Sequence, residues 1–163
     1  MLFRSGTLTL DVSSGNAIAG TYALTFDGSG NATVADPIAT STGTVTKSGS
    51  GTLTLSAVNT YSGNTTISAG NVTVSGSGSL NSGSYAGQIS IASGSTFTYS
   101  SSATQTLSGK LTGAGAVVKD TSNSSTLTLS SSTSDYTGTT TISNGIVVIK
   151  TSSALGGSGA SEG

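Results

Sequence analysis

The chain has 163 residues, a formal net charge of −1 and only 7% charged residues. Its five cations are scattered along the sequence, whereas a nucleic-acid interface needs several on one face, so nucleic acid is excluded as a partner. No stretch of about 18 apolar residues is present, so we expect no membrane insertion of this segment.

Composition limits the chemistry further. Ser and Thr together contribute 63 residues and Gly 24, while Cys, His and Trp are absent. Such a composition is typical of disordered linkers, but the apolar third is mostly Val, Ile and Leu at alternate positions, which indicates a folded chain. Without Cys or His, the sequence offers no disulfide and none of the usual nucleophile and base pairs, and we expect no cofactor or metal.

Period-two alternation of apolar residues with Thr or Ser predicts a series of short strands, each with one apolar face and one hydroxyl face. In chain order they are Gly6–Leu10, Thr21–Phe26, Gly43–Lys47, Gly51–Leu55, Asn71–Val74, Gly87–Ile91, Ser95–Tyr99, Gly115–Lys119, Ser125–Leu129 and Gly145–Ile149. Gly, Asn and Ser clusters between them read as turns, and no helical stripe of ten residues is present. The fold class is therefore all-β, either a sandwich or barrel or a solenoid of stacked coils.

An internal repeat favours the solenoid. The segment Gly51–Val74 reads GTLTLSAVNTYSGNTTISAGNVTV, and a looser copy, STLTLSSSTSDYTGTTTISNGIVVI, occupies Ser125–Ile149. A sandwich needs no internal copies, whereas each coil of a solenoid must cover the coil beneath it. At roughly 20 residues per coil, we expect a β-solenoid of roughly eight coils and a rod on the order of 40 Å long.

These two segments resemble the autotransporter-associated β-strand repeat, also called the passenger-associated repeat, of bacterial secreted proteins. The resemblance covers roughly Gly43–Gly156 and is closest over Gly51–Val74. It implies a right-handed parallel β-helix and an extracellular or bacterial cell-surface location.

Three regions of one continuous solenoid domain are expected. Residues 1–42 match the repeat weakly and are expected to form degenerate N-terminal coils. Residues 43–156 carry the repeats, and residues 157–163 form a flexible Gly/Ser tail.

The alternation also predicts which side chains fill the core and which meet at the ends. The predicted core residues are Leu53, Leu55, Ile67, Val72, Val74, Leu127, Leu129, Ile142 and Val147. Because neither terminus shows a helix or a charged lid to cap the open strands, we expect further repeats or end-to-end stacking. The residues expected at such a contact are Leu8, Leu10, Ile146 and Ile149.

The carboxylates are the remaining candidates for catalysis. Asp11, Asp27, Asp36, Asp120, Asp135 and Glu162 each lie in a turn-like context or follow a strand. We interpret them as turn residues and predict no catalytic site. An enzyme would require Asp11, Asp27 or Asp36 to cluster within about 5 Å in a groove.

Recurring Tyr, Lys and Thr positions are the other candidate features. Tyr61 and Tyr136 are interpreted as covering a coil corner with their hydroxyls in water, the alternative being a sugar-stacking ring. Lys47 and Lys119 are interpreted as outward edge charges. Outward Thr-x-Thr ranks would order water as ice-binding solenoids do, but the clearest copies, at Thr52 and Thr126, lie 74 residues apart, which argues against an uninterrupted rank.

The sequence thus favours a non-enzymatic structural segment of a secreted or cell-surface bacterial protein. It would be a stiff stalk or scaffold that self-associates, or joins neighbouring repeats, and stacks into an extracellular filament. The alternative is a surface adhesin, a binding module for glycans or, less favoured, ice, that uses outward Thr and Tyr side chains.

Overall fold

The computed structural model describes residues 2–3, 6–121 and 125–156. In these residues the fold is all-β, and every strand pairing is parallel. The single helical element in the described part is one 3₁₀ turn at Asn81–Gly83. No helix in those residues has the length and apolarity to cross a membrane.

In the described residues, nineteen strands form three sides of a solenoid. The seven-stranded face holds β2 (Thr7–Leu10), β5 (Asn31–Val34), β8 (Thr52–Leu55), β10 (Asn71–Gly76), β13 (Thr96–Ser101), β16 (Ala116–Asp120) and β18 (Thr140–Asn144). The six-stranded face holds β1 (Leu2–Phe3), β4 (Leu24–Gly28), β7 (Val45–Lys47), β9 (Thr65–Ile67), β12 (Ile89–Ile91) and β15 (Leu111–Gly113). The third side holds β3 (Ile18–Ala19), β6 (Ile38–Ala39), β11 (Ser84–Tyr85), β14 (Gln105–Leu107), β17 (Thr126–Leu129) and β19 (Ile146–Ile149), with a parallel bridge between Val58 and Ser79 in its middle.

The predicted β-solenoid is confirmed, but it has fewer turns than expected. One turn runs from the seven-stranded face through the third side and the six-stranded face and back. Its length ranges from 19 residues, between Leu53 and Val72, to 25, between Val72 and Phe97. Six complete turns lie in the 132 residues between Leu8 and Thr140, which is 22 residues per turn instead of the assumed 20, so the described part of the chain holds fewer turns than the roughly eight expected. At a strand spacing of about 4.8 Å, these six turns extend about 29 Å along the axis.

The predicted core residues occupy the interior with two exceptions. The buried ones are 0 to 1% exposed: Leu53, Leu55, Ile67, Val72, Val74, Leu127 and Leu129. Val147 is partly buried and packs against this core. Ile142 is 54% exposed, so its prediction as a core residue is wrong. It pairs with buried Lys119 on β16, but β18 is the last described strand of its face, and no described turn covers it.

A column of glycines lies where the chain enters the six-stranded face. A Cβ atom added to Gly63 would stand 2.3 Å from the Gly43 carbonyl oxygen, and one added to Gly109 would stand 2.1 Å from that of Gly87. A Cβ atom added to Gly87 would likewise stand 2.7 Å from the Gly63 carbonyl oxygen. These glycines are therefore required by the close approach of successive turns.

The first 42 residues contribute β1 to β6 to the same three sides as the later turns. The division into degenerate coils, repeat region and tail stays a prediction, and the predicted tail, 157–163, lies outside the described residues. Leu8 and Leu10 belong to the seven-stranded face, whereas Ile146 and Ile149 belong to the third side. An end contact that continues the coil in phase would pair β2 with β18, and the predicted contact between those four residues stays a prediction.

Candidate functional site

Each copy of the repeat motif makes one complete turn, because its first strand pairs with its own last strand. In the first copy Leu53 of β8 stands beside Val72 of β10. In the second copy Leu127 of β17 stands beside Val147 of β19. The first copy begins on the seven-stranded face and the second on the third side, so the two are rotated by one side of the solenoid.

The repeated tyrosines lie inside the turn. Tyr61 is fully buried and its hydroxyl is hydrogen-bonded to the Thr65 hydroxyl at 3.1 Å. Tyr136 is 2% exposed and makes the same bond to Thr140, four residues later. The expectation that these hydroxyls face water is wrong, and neither ring is presented to a sugar.

A second tyrosine layer continues this network. The Thr65 hydroxyl is also hydrogen-bonded to the Tyr85 hydroxyl at 2.8 Å, and the rings of Tyr61 and Tyr85 meet edge to face with centroids 5.8 Å apart. Burial raises the pKa of Tyr85 to about 12 and raises the pKa of Tyr61 above its usual range. The phenols therefore stay neutral at physiological pH and serve packing.

A buried polar side chain two residues before each repeated tyrosine joins neighbouring turns. The Asn59 side-chain oxygen accepts a hydrogen bond from the Ile38 amide at 3.0 Å, and Ser134 accepts one from the Leu111 amide at 3.1 Å. Each side chain lies at a corner outside the strands. Its oxygen accepts the hydrogen bond that a backbone carbonyl accepts within a strand ladder. This role was not predicted from the sequence, although a polar residue two positions before each repeated Tyr could have indicated it.

The two repeated lysines are buried, so the prediction of outward edge charges is wrong. Lys47 is 2% and Lys119 0% exposed. Both follow the inward alternation of their strands, and their ammonium groups donate to nearby carbonyls, Lys47 to that of Gly49 and Lys119 to that of Thr121. The Lys119 ammonium also lies 5.7 Å from the centre of the Tyr99 ring. Burial lowers the pKa of both lysines, against the opposing attraction of Asp27 and Asp120 respectively.

The carboxylates do not form a metal-binding cluster in the described part of the chain. Among the described residues, no three acidic groups come together to hold a metal ion. The Asp36 carboxylate accepts a hydrogen bond from the Val12 amide at 2.7 Å, and Asp27 accepts one from the Gly28 amide at 2.8 Å. Glu162 lies outside the described residues.

Asp135 forms an ion pair with a lysine of the neighbouring turn. Its carboxylate lies 2.6 Å from the Lys110 ammonium. Hydrogen bonds from Lys110 and Thr112 lower the pKa of Asp135. This exposed pair joins adjacent turns at the rod surface and stabilises the fold only weakly.

The outward side of β2, β5, β8, β10 and β13 forms a regular surface, named the threonine face. Its first rank consists of Thr7, Asn31, Thr52, Asn71 and Thr96. Its second rank consists of Thr9, Thr33, Thr54, Thr73 and Thr98. As expected, no rank joins Thr52 to Thr126, because β8 and β17 lie on different sides of the solenoid. The ranks arise instead because β5 and β10 carry Asn-x-Thr in register with the Thr-x-Thr strands, and they end at β16, where Ala116 and Val118 follow.

The last described turn exposes an apolar end. Ile142 is 54%, Ile146 45% and Ile149 41% exposed, and Leu155 is 44% exposed. In the described residues no strand pairs with the outer edge of β18 or β19. Among the described residues, this end therefore combines unpaired strand edges with exposed apolar side chains.

Comparison with known proteins supports the resemblance found in the sequence. Residues 45–74 and 122–149 match the model of the passenger-associated-transport-repeat. No curated protein and no solved structure matches the chain. The two matched segments contain the two turns described above, which confirms the predicted repeat.

Proposed function

We propose that this chain is a non-enzymatic structural segment of a secreted or cell-surface bacterial protein, a stiff rod that stacks end to end into an extracellular filament. The passenger-associated repeat and the β-solenoid fit a structural segment of an autotransporter passenger. That repeat also implies a secreted or cell-surface location. Asn59, Tyr61 and Gly63 of the motif each contact a neighbouring turn, Asn59 through the Ile38 amide, Tyr61 through the Tyr85 ring and Gly63 through the Gly43 carbonyl, which supports a structural role.

Stiffness follows from the pairing of strands along the axis. Seven strands of one face and six of another hydrogen-bond in continuous parallel ladders, so bending the rod would strain every turn-to-turn contact. Buried side chains stack in the same direction, as Leu53, Val72 and Phe97 do. A rod of this kind separates whatever lies at its two ends by a fixed distance.

End-to-end stacking is supported above all by the two unmatched edges of the seven-stranded face. In the described residues β2 and β18 each pair on one edge only. The apolar end at Ile142 and Ile149, which stand beside the inward positions Lys119 and Leu129, would be buried by a further turn, supplied by a second copy. Parallel pairing of β18 with β2 of the next copy would extend the same ladder.

A charge placed at the apolar end tests the stacking. Sedimentation velocity over a concentration series should show growing oligomers for the native chain, and negative-stain images should show filaments. Ile149→Lys should hold the chain monomeric, since a lysine buried in the contact would lose its hydration. Val58→Lys is the matched control, because Val58 is similarly exposed, 45% against 41% for Ile149, but lies in mid-rod.

Val58→Lys should assemble like the native chain. A native chain that stays monomeric at every concentration would contradict the stacking. Equal loss of assembly in the two lysine variants would place the contact elsewhere and would contradict it as well.

A further inference from the structure

We propose that the threonine face binds a crystalline lattice of water, that is, the surface of ice. This inference goes beyond the structural role and does not depend on how the ends of the rod associate. It depends on the regularity, availability, spacing and neutrality of the outward side chains on β2, β5, β8, β10 and β13.

The regularity comes from the register of the five strands. Thr33, Thr54 and Thr73 are successive members of the second rank and are paired directly across β5, β8 and β10. The inward neighbours of these residues are buried, so the parity of each strand is fixed by the core. Ten hydroxyl or amide side chains therefore form a grid of two by five on one sheet.

The hydroxyls of this grid are available to a ligand. In the described part of the chain, no hydrogen bond joins the hydroxyl of Thr54, Thr73 or Thr98 to a protein atom, and the same holds for the other Thr residues of the grid. Asn31 differs, because its side-chain oxygen accepts a hydrogen bond from the Thr52 amide at 2.8 Å. Threonine is β-branched and stiff at χ1, so its hydroxyl and methyl are held in place before any ligand arrives. Binding to a rigid surface then costs little side-chain entropy.

The spacing of the grid favours an ordered lattice over a dissolved ligand. Neighbours in one rank are about 4.8 Å apart across the strands, and the two ranks are about 6.6 Å apart along them. Both distances lie near repeat distances between oxygen atoms in hexagonal ice. A flexible or dissolved molecule gains nothing from ten groups repeated on a plane, whereas a crystal surface meets all of them at once.

Charge and aromatic content favour water over other crystalline partners. The ten outward positions of the threonine face carry no charge and no aromatic ring. Ionic mineral surfaces call for charged groups, and sugar surfaces favour stacked aromatic rings. The tyrosines inside the coil cannot supply such rings, because Tyr61, Tyr85, Tyr99 and Tyr136 are all buried.

The six-stranded face provides a natural comparison. Its outward positions form a single rank of Thr25, Thr46, Thr66, Ser90 and Thr112. A single rank repeats only along the solenoid axis, so it can match a lattice in that direction alone. The two ranks of the threonine face also repeat along the strands and can match a lattice in both directions. Substitutions on the six-stranded face therefore serve as the matched control.

The test measures partitioning of the purified full chain into slowly growing ice. The native chain should be enriched in ice relative to a non-binding globular protein of similar mass. The double variant Thr54→Tyr, Thr73→Tyr places two rings over the centre of the threonine face and should fall to the level of the reference protein. The control variant Thr46→Tyr, Thr66→Tyr should stay enriched like the native chain.

Circular dichroism establishes that the variants are folded, and Thr54→Lys serves as the face variant if the tyrosine pair lowers the melting midpoint. The proposal is overturned if the native chain is not enriched in ice. It is also overturned if the face variant and the control variant are enriched equally. Binding to crystalline cellulose or chitin without enrichment in ice would overturn it and would assign the grid to a polysaccharide surface.

Discussion

Replacing Leu53 with Ala is expected to lower the free energy of unfolding by about 3 kcal/mol. The Leu53 side chain is fully buried and stacks between Ala32 below and Val72 above. Truncation leaves a cavity that neighbouring turns cannot close, because their backbone ladders fix the distance between strands. The change would be read from the midpoint and slope of a urea unfolding curve.

Thr54→Ala is the matched control, since Thr54 is the next residue on the same strand and points outward. Its effect should stay within about 1 kcal/mol, the range of strand propensities. The same unfolding curve for Leu53→Ala and the native chain would refute the assignment of Leu53 to the core.

Gly63→Ala is expected to destabilise the solenoid by about 3 kcal/mol or more, the upper end for overpacking. The added Cβ would stand 2.3 Å from the Gly43 carbonyl oxygen and 2.4 Å from that of Thr42. Both contacts are with backbone in the turn below, which has no side chain to move aside. The substitution would therefore separate two turns locally, and thermal melting of the purified variant measures the cost.

Gly15→Ala separates this clash from the ordinary cost of a left-handed backbone. Gly15 has a φ of +90°, but a Cβ there meets nothing within 4 Å. Its substitution should cost only about 1–2 kcal/mol, the strain of the left-handed conformation. If Gly63→Ala melted at or above the temperature of Gly15→Ala, the glycine column would not be a requirement of the fold.

The sequence predicted the elements whose signal is local. Strands β8 and β10 have four or more residues of clear alternation, and their apolar side chains are buried as the alternation implies. The strands of the third side were mostly missed, because β3, β6 and β11 have only two residues each and show no period. The corners of this side depend on single side chains such as Asn59. From composition alone, an Asn in this role cannot be distinguished from an Asn in an ordinary turn.

The rotation of the second repeat copy could not be predicted without the lengths of the turns between the copies. Three turns after Leu53 the chain reaches Val117, and Leu127 follows 10 residues later, on the third side. The 74 residues between Leu53 and Leu127 are therefore not a whole number of turns. For the same reason the threonine face was missed, since its ranks come from strands that are not copies of one another.

The buried lysines show a conflict between two local rules. A lysine at the end of a strand suggests a solvent-exposed charge, yet Lys47 shares the parity of buried Val45 on β7. The alternation along the strand determines the direction of the Lys47 side chain. The long side chain stays inside, and its ammonium group reaches a backbone carbonyl near the corner.

All of these expectations depend on the register that makes each repeat copy one turn, and cross-linking tests it most directly. The native chain has no Cys, so pairs of introduced cysteines report single distances. Thr54 and Thr73 are paired on adjacent strands, about 4.8 Å apart, within disulfide range, whereas Thr128 lies on the third side. Oxidation of the monomer should close a disulfide in the variant with Thr54→Cys and Thr73→Cys but none in the variant with Thr54→Cys and Thr128→Cys. A disulfide in the second variant, together with free thiols in the first, would contradict the solenoid register.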